Sequence, residues 1–573
     1  YIRNKQVLSL SKQVSDIISK GLPFTYYISK NINVLQSKQI IQNFVALEVH
    51  QIISFINYCK NRNKNKKFKY FICLHLYDLN FLIKKKYKSS RYDFINIYNF
   101  NSLLLTRFIN FFFQIIIQFF DNLLPNRKFK DQEDSKEKKI AISYSGEIIA
   151  EGDSENLDSP LSNHWWLKKI NIKKSNIIFY FNEYCKVKAT DEVINQIKSK
   201  GYSVKIIDKK LNNTSLEETE KIYINFNNLF FILKKLLLIL YDYKKINLFR
   251  WQFLQWLSIV FKTEYHKSFI QNNNIDLILD YAETNKDIIA ISAMAANIKK
   301  IYYQRSDIYF PNFMFNPLHN YFFTWGDLAK NILSIKQGNE ITKFINVGNT
   351  FYSYPNIDSI KHKVLKKIKN HLEIDSKTNI AIFDRSNGYY SYIPLSHHIN
   401  FLDEILKLAE LDQNINLLIK PKQRIHDEIL NSYNIRERIN KLKLIKQIFI
   451  FNPKDSFYEA AIVSDLTFSL GINSAGIQGA IANITPFFWD PLALSKSYNH
   501  LSKIAGYDDS FFVSDQLETI IKNLKFYINN KKSHGLEFSN NYKILRNHFD
   551  DDKAFTRISK EINTILNNNI DNQ

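Results

Sequence analysis

Cysteine is nearly missing from this chain: Cys59, Cys73 and Cys185 are the only three in 573 residues. None stands in a CxxC pair or at metal spacing from a histidine. The sequence therefore offers neither a disulfide framework nor a structural zinc site, and it fits a reducing, cytoplasmic compartment. Arginine is scarce as well, with 13 against 65 lysines and a formal net charge of +23. A nucleic-acid partner would draw on arginine for bidentate phosphate and base contacts. Lysine in excess, beside abundant Ile, Asn, Tyr and Phe, reads instead as the codon usage of an AT-rich genome, and no motif of a known nucleic-acid module is found. No nucleic-acid partner is expected, although a modest attraction to anionic lipid headgroups remains. Long solenoid repeats are absent. The chain begins at Tyr1, and no signal peptide is read in its first residues.

What is present is ordinary globular material, 45% hydrophobic and 23% charged, in a length that calls for two or three cores. Two apolar stretches bear on membrane contact. In 103–124 the polar residues Arg107, Asn110, Gln114, Gln118 and Asp121 recur at steps of three and four, which places them on one helical stripe. The second stretch, 229–240, is broken by Lys234 and Lys235. Both read as amphipathic helices rather than spans, packed on a core or lying on a membrane surface.

Residues 1–138 read as a mainly helical N-terminal region with a strand-like run at Tyr70–Leu76, ending in the charged stretch Lys128–Lys139. Alternating strands and helices follow. Ile177–Phe181, a helix at Asp191–Lys200 closed by Gly201, and Ser203–Ile207 make one βαβ unit. Further strands are expected at Ile275–Leu279, Asp287–Ser292, Lys300–Gln304, Tyr321–Thr324 and Lys343–Gly348, with a linker at Asn349–Asn356. The division is thus 1–138, 139–350 and 351–573. In the last part strands are predicted at Asn379–Phe383, Asn416–Ile419, Gln447–Phe451, Asp465–Ser469 and Pro486–Trp489, with helices at His398–Leu408 and Ser456–Ser464. Short connections between alternating elements imply parallel sheets covered on both faces.

One constellation carries chemistry. Gly471-Ile472-Asn473-Ser474-Ala475-Gly476 joins a strand to a helix, where small residues and free helix N–H groups suit a phosphate. Asn473 and Ser474 can add side-chain hydrogen bonds, and Gln478 lies one turn in, within reach of a sugar hydroxyl. A tight turn needing small residues only for packing accounts for the same loop. Arg385, Lys420 and Lys422 each follow a predicted strand, so a parallel sheet brings all three to the edge that holds the loop.

The Lys420-Pro421 strand end, the NSAGIQGA strand–loop–helix and the ITPFFWDP strand resemble the C-terminal domain of GT-B glycosyltransferases. More narrowly they resemble bacterial surface-polysaccharide transferases and the UDP-N-acetylglucosamine 2-epimerases. The epimerase pattern Asp-Ser-Gly-Gly-Ile-Gln-Glu-Glu is matched at Ser474, Gly476, Ile477 and Gln478. It is departed from at Asn473 and Ala475, and Gly479 and Ala480 stand where its glutamates fall. Lys422-Gln423 replaces the usual His-Pro after Lys-Pro. The resemblance covers about 150 residues well. It implies an α/β, GT-B-like fold of two Rossmann-like domains facing a cleft, 139–350 for the acceptor and 351–573 for the donor. It also implies an enzyme without metal or other cofactor that moves a sugar from a nucleotide-sugar donor to a surface-polysaccharide or lipid-linked glycan, in the cytoplasm or peripheral on the inner face of the cell membrane. A sugar-nucleotide epimerase or a glycerophosphotransferase on the same fold, and a basic nucleic-acid-binding protein, are the alternatives.

Donor contacts are expected from Arg385, Lys420, Lys422, Asn473, Ser474, Gly476 and Gln478. For an inverting transfer the candidate bases are Asp153, Asp280 and Glu283. His164, Gln304 and Arg305 are the acceptor candidates. Trp165 and Trp166 suit stacking on a sugar ring and core packing equally.

Overall fold

The computed structural model describes residues 70–73, 92–95, 137–144, 165–181, 189–207, 262–280, 292–304, 308, 320–336, 342–350, 357–374, 376–385, 393–422, 424–425, 427–453, 455–492, 511–530, 549 and 551–567. Strands β1 (Tyr70–Cys73) and β2 (Tyr92–Ile95) form a small parallel pair. The expected strand at Tyr70–Leu76 thus begins as predicted. Segments 103–124 and 229–240 lie outside the described residues. Among the described residues no helix is long and apolar enough to cross a membrane.

Two parallel sheets dominate. The first contains β3 (Ile140–Ser143), β4 (Ile177–Phe181), β5 (Ser203–Ile206), β6 (Leu277–Asp280), β7 (Lys299–Tyr303), β8 (Tyr321–Thr324) and β9 (Lys343–Asn346), in the order β5-β4-β3-β6-β7-β8-β9. The second contains β10 (Thr378–Phe383), β11 (Ile415–Lys420), β12 (Ile448–Ile450), β13 (Leu466–Leu470), β14 (Thr485–Trp489) and β15 (Val513–Ser514), in the order β12-β11-β10-β13-β14-β15. Every neighbouring pair is parallel. Each sheet starts in its middle, runs to one edge, returns and runs to the other, which is the doubly wound Rossmann order. The expected pair of Rossmann-like sheets is therefore what the chain forms.

The strands are mostly apolar because helices cover both faces, with a few buried polar residues such as Asn416, Thr467 and Ser469 among them. All six residues of β11 and all five of β13 and β14 are buried. Pro486, which lacks an N–H, sits on β14 before its pairing with β15 begins at Phe488. Helix α1 (Asp191–Ser199) is capped by Thr190, whose hydroxyl accepts from Val193 N at 3.4 Å, and ends before Gly201 at φ 86°, the left-handed C′ position expected for it. One expected strand is corrected. Ser292 was placed at the end of a strand, but 292–295 is a helical turn leading into β7, and 287–291 lies outside the described residues.

The chain also returns to its first half. Helix α6 (Ala554–Asn567), which follows α5 (Leu517–Asn529) in the chain (α2 to α4 are introduced below), packs on the 3₁₀ turn Trp165–Lys169. Ser559 Oγ donates to Trp166 O at 2.9 Å, Lys169 Nζ to Thr556 Oγ1 at 2.7 Å, and Arg557 Nε to Val347 O at 2.8 Å. Trp166 is wholly buried in this core, so of the two readings of its indole the packing one holds. The side chain of Trp165 lies outside the described residues.

Candidate functional site

In a doubly wound sheet, ligands bind beyond the carboxyl ends of the strands at the point where the strand order reverses. In the second sheet that point lies between β10 and β13. Their register pairs Phe383 with Ser469, and β10–β11 pairs Phe383 with Lys420, so three strand tips end level. The residues just past them are Asp384-Arg385, Pro421-Lys422 and Gly471-Ile472-Asn473.

Past β13 the chain turns at Gly471, φ 67°, a left-handed conformation that L side chains rarely adopt; a Cβ there would also lie 3.1 Å from Arg385 Nε and from Ile393 Cδ1. It then enters helix α4 (Ser474–Ile481), which follows α2 (Leu395–Leu411) and α3 (Phe457–Ile462) in the chain. Asn473 is its N-cap, with Oδ1 accepting from Gly476 N at 3.0 Å. The first intrahelical bond runs from Ile477 N to Asn473 O at 3.2 Å. The Ser474 and Ala475 amides lie before it, in the first turn of the helix. First-turn N–H groups and the positive end of a helix dipole are the features that suit an anion. Gly476 is set hard against the sheet, since a Cβ on it would lie 2.5 Å from Ser469 Oγ and 2.7 Å from Phe488 Cε1. Gln478 is buried, and its Oε1 has no hydrogen-bond partner among the described residues.

The predicted cations meet at this edge, but their side chains are directed differently from expectation. Arg385 Nη2 donates to Ile472 O, so the guanidinium braces the loop that a phosphate would occupy. Lys420 is buried, and its Nζ donates to Pro421 O at 2.9 Å and Pro453 O at 3.0 Å, tying the ends of β11 and β12 together. The exposed Lys422 contributes its backbone N–H to Asp384 Oδ1 at 2.6 Å. Arg385, Lys420, Lys422, Asn473, Ser474, Gly476 and Gln478 therefore share one edge of one sheet.

Two groups that sequence reasoning missed stand here. Burial pushes the Asp384 carboxyl up to about 7, against the Lys422 N–H and the charges of Lys420 and Lys422, which pull it down. Asp384 follows β10 as directly as Arg385 does; a search for cations alone passed over it. His398 lies in the first turn of α2, only 4% exposed, with Nε2 unpartnered among the described residues. Burial chiefly, with His397 and Arg385 nearby, depresses its pKa to about 4. The unfolded chain, near 6.5, therefore takes up this proton first, and stability present above pH 6.5 is lost as the pH falls toward 4. At about 1.4 kcal/mol per pKa unit the loss is on the order of 3 kcal/mol. Urea melts at pH 7 and pH 4.5 should show His398→Gln losing markedly less stability on acidification than wild type. Equal losses would contradict the assignment.

In the first sheet, Asp280 ends β6 with its carboxylate 3.1 Å from Lys300 Nζ, both side chains 1% exposed. This is a core ion pair rather than a base open to an acceptor. Gln304 follows β7, but its Oε1 accepts from Trp325 N at 2.8 Å and its carbonyl from Trp325 Nε1 at 2.7 Å, which holds it in the core instead of toward a ligand. Asp153, His164, Glu283 and Arg305 lie outside the described residues.

No family model matches the sequence, and no curated protein matches it. Among solved structures the chain is similar to the UDP-GlcNAc 2-epimerase of Neisseria meningitidis bound to UDP-GlcNAc, with 13% identity over 75% of this chain and 99% of that one and a TM-score of 0.44. It is similar to Anabaena HepE in complex with UDP-glucose, with 12% identity, 76% and 100% coverage and a TM-score of 0.40. It is similar to the wall teichoic acid polymerase TagF soaked with CDPG, with 11% identity, 82% and 99% coverage and a TM-score of 0.42. These are GT-B-fold proteins, the class that the sequence resemblance named. At such identity the likeness is one of architecture.

Proposed function

We propose that the chain is a glycosyltransferase that binds a nucleotide-sugar at the carboxyl edge of its second sheet and passes the sugar to a surface-polysaccharide or lipid-linked glycan acceptor. The observation that carries this reading is the capped N-terminus of α4 at the point of strand reversal, braced by Arg385 through Ile472 O. In transfer from a nucleotide-sugar the bond from the anomeric carbon to the diphosphate breaks, and negative charge grows on the leaving phosphate. Amides of Ser474 and Ala475, the α4 dipole and the cations at the β10 and β11 tips suit that charge, and preorganised donors of this kind supply much of an enzyme's rate enhancement. Gln478, buried with an open acceptor, suits a hydroxyl of the donor. Asp153 and Glu283 are the proposed bases, and His164 and Arg305 the proposed acceptor contacts. No metal or other cofactor enters this scheme, and contact with the inner face of the membrane would suit a lipid-linked acceptor.

The test is calorimetric titration of the full chain with UDP and UDP-GlcNAc. The expected result is saturable binding that weakens more than tenfold in Ser474→Trp, a substitution that fills the helix end, while the circular dichroism spectrum is retained. Binding that ignores the tryptophan would overturn the site. With a turned-over donor, release of UDP with transfer of the sugar supports this reading. Interconversion of the intact sugar nucleotide would make the chain an epimerase, and transfer from a CDP-glycerol donor a glycerophosphotransferase.

A further inference from the structure

We propose that Asp384 is a positioning residue for the anion site, clasping the β11 loop to the β10 tip so that the cationic and amide halves of the site keep a fixed spacing. The inference rests on the phosphate-binding reading of α4. The pairing of β10 with both its neighbours ends at the level of Phe383, Lys420 and Ser469, and past that level neither of those two ladders holds the loops beside one another. At the reversal point the connections leave in opposite directions, which opens the crevice and also loosens its walls.

The chain replaces the missing ladder with a row of lateral ties. Lys420 Nζ joins Pro421 O to Pro453 O on the β12 side. Asp384 Oδ1 takes the Lys422 N–H at 2.6 Å, joining β10 to β11. The next residue, Arg385, reaches the other way to Ile472 O, joining β10 to β13. Gly471 N donates to Trp489 O at 2.6 Å and Asp490 N to Ser514 O at 2.7 Å, which carries the row to β15. Two consecutive residues thus hold both walls of the crevice.

An acid beside a phosphate site opposes the ligand's charge, so its presence calls for a structural return. In its ionised form, about half of the population near pH 7, the Asp384 carboxyl accepts the backbone N–H in a charge-assisted bond, stronger than a neutral one. That bond sets where the Lys422 side chain starts. Small displacements of such groups weaken ligand and transition-state contacts steeply.

The experiment compares full-length wild type, Asp384→Ala and Asp384→Asn by hydrogen exchange of peptides covering Lys420–Ile425 and by titration with UDP and with inorganic pyrophosphate. Asn keeps an oxygen that accepts the Lys422 N–H, whereas Ala does not. The expected result is faster exchange in Asp384→Ala, roughly tenfold weaker binding of both probes, and recovery to within about threefold of wild type in Asp384→Asn. Unchanged exchange in Asp384→Ala would overturn the clasp, and faster exchange with unchanged affinity would overturn its positioning role. Equal binding changes in Ala and Asn would show that Asp384 acts by charge, which also overturns the proposal. If wild type binds neither probe, the nucleotide reading fails, while exchange at Lys422 still decides the clasp.

Discussion

Gly476→Ala is expected to cost the fold about 2–3 kcal/mol, the upper part of the range for overpacking a filled interior, and to weaken UDP binding beyond the reach of calorimetry. The added methyl would lie 2.5 Å from Ser469 Oγ and 2.7 Å from Phe488 Cε1. The serine hydroxyl can rotate, but Phe488 is locked inside β14, wholly buried. Helix α4 must therefore lift off β13 and β14, and its first-turn amides, whose placement defines the anion site, move with it. Gly479→Ala is the matched control. Its Cβ would meet Thr467 Cγ2 at 3.1 Å and little else, so a slight shift admits it, and a cost below about 1 kcal/mol is expected. Denaturant melts and UDP titrations of the two variants check the contrast. Two equally mild outcomes would mean that α4 does not press on the sheet as described.

Lys300→Met should destabilise the first sheet by about 3–5 kcal/mol, because it leaves a carboxylate in the core without its partner. Asp280 and Lys300 are each 1% exposed, with nitrogen and oxygen 3.1 Å apart. Water cannot take over the solvation that the ammonium provides. The double variant Asp280→Leu/Lys300→Met should regain most of the loss, since apolar replacements of a buried pair are often neutral or better. Urea midpoints of wild type, single and double variants test this. A Lys300→Met chain as stable as wild type would contradict it.

The second sheet was legible because its strands are wholly covered. A parallel strand buried on both faces appears as a short, largely apolar run between turn residues, as in PFFW before Asp490, and LTFSL before Gly471 adds only the small Thr467 and Ser469 to that pattern. The same rule fails for very short strands. β3, the central strand of the first sheet, is only Ile140–Ser143 and adjoins the charged run that ends at Lys139, so nothing in the sequence separates it from a loop. β15, two residues long, is beyond any periodicity argument. The return of α6 was also out of reach. Its partner is the Trp166 turn, 393 residues away from Ser559 in the chain.

The site divides in the same way. Topology alone brings Arg385, Lys420, Lys422 and the 471–478 loop to one edge, because parallel strands all end on the same side, and residue spacing reveals that. It does not reveal where the side chains go. Arg385 and Lys420 are directed to carbonyls, Asn473 to a cap, and Gln304 to Trp325 N, because buried backbone groups at loop ends must find partners before a ligand can. Asp384 was passed over for a chemical reason: an acid seems out of place beside a phosphate until its bond to the Lys422 N–H is seen.

The central claim is that the N-terminus of α4 holds the phosphates of an activated sugar. A crystal structure of the chain grown with UDP tests it most directly. Diphosphate oxygens are expected about 3 Å from the Ser474 and Ala475 amides, between the tips of β10 and β13. Diphosphate density on the first sheet, or at any surface away from Gly471–Gln478, would contradict it.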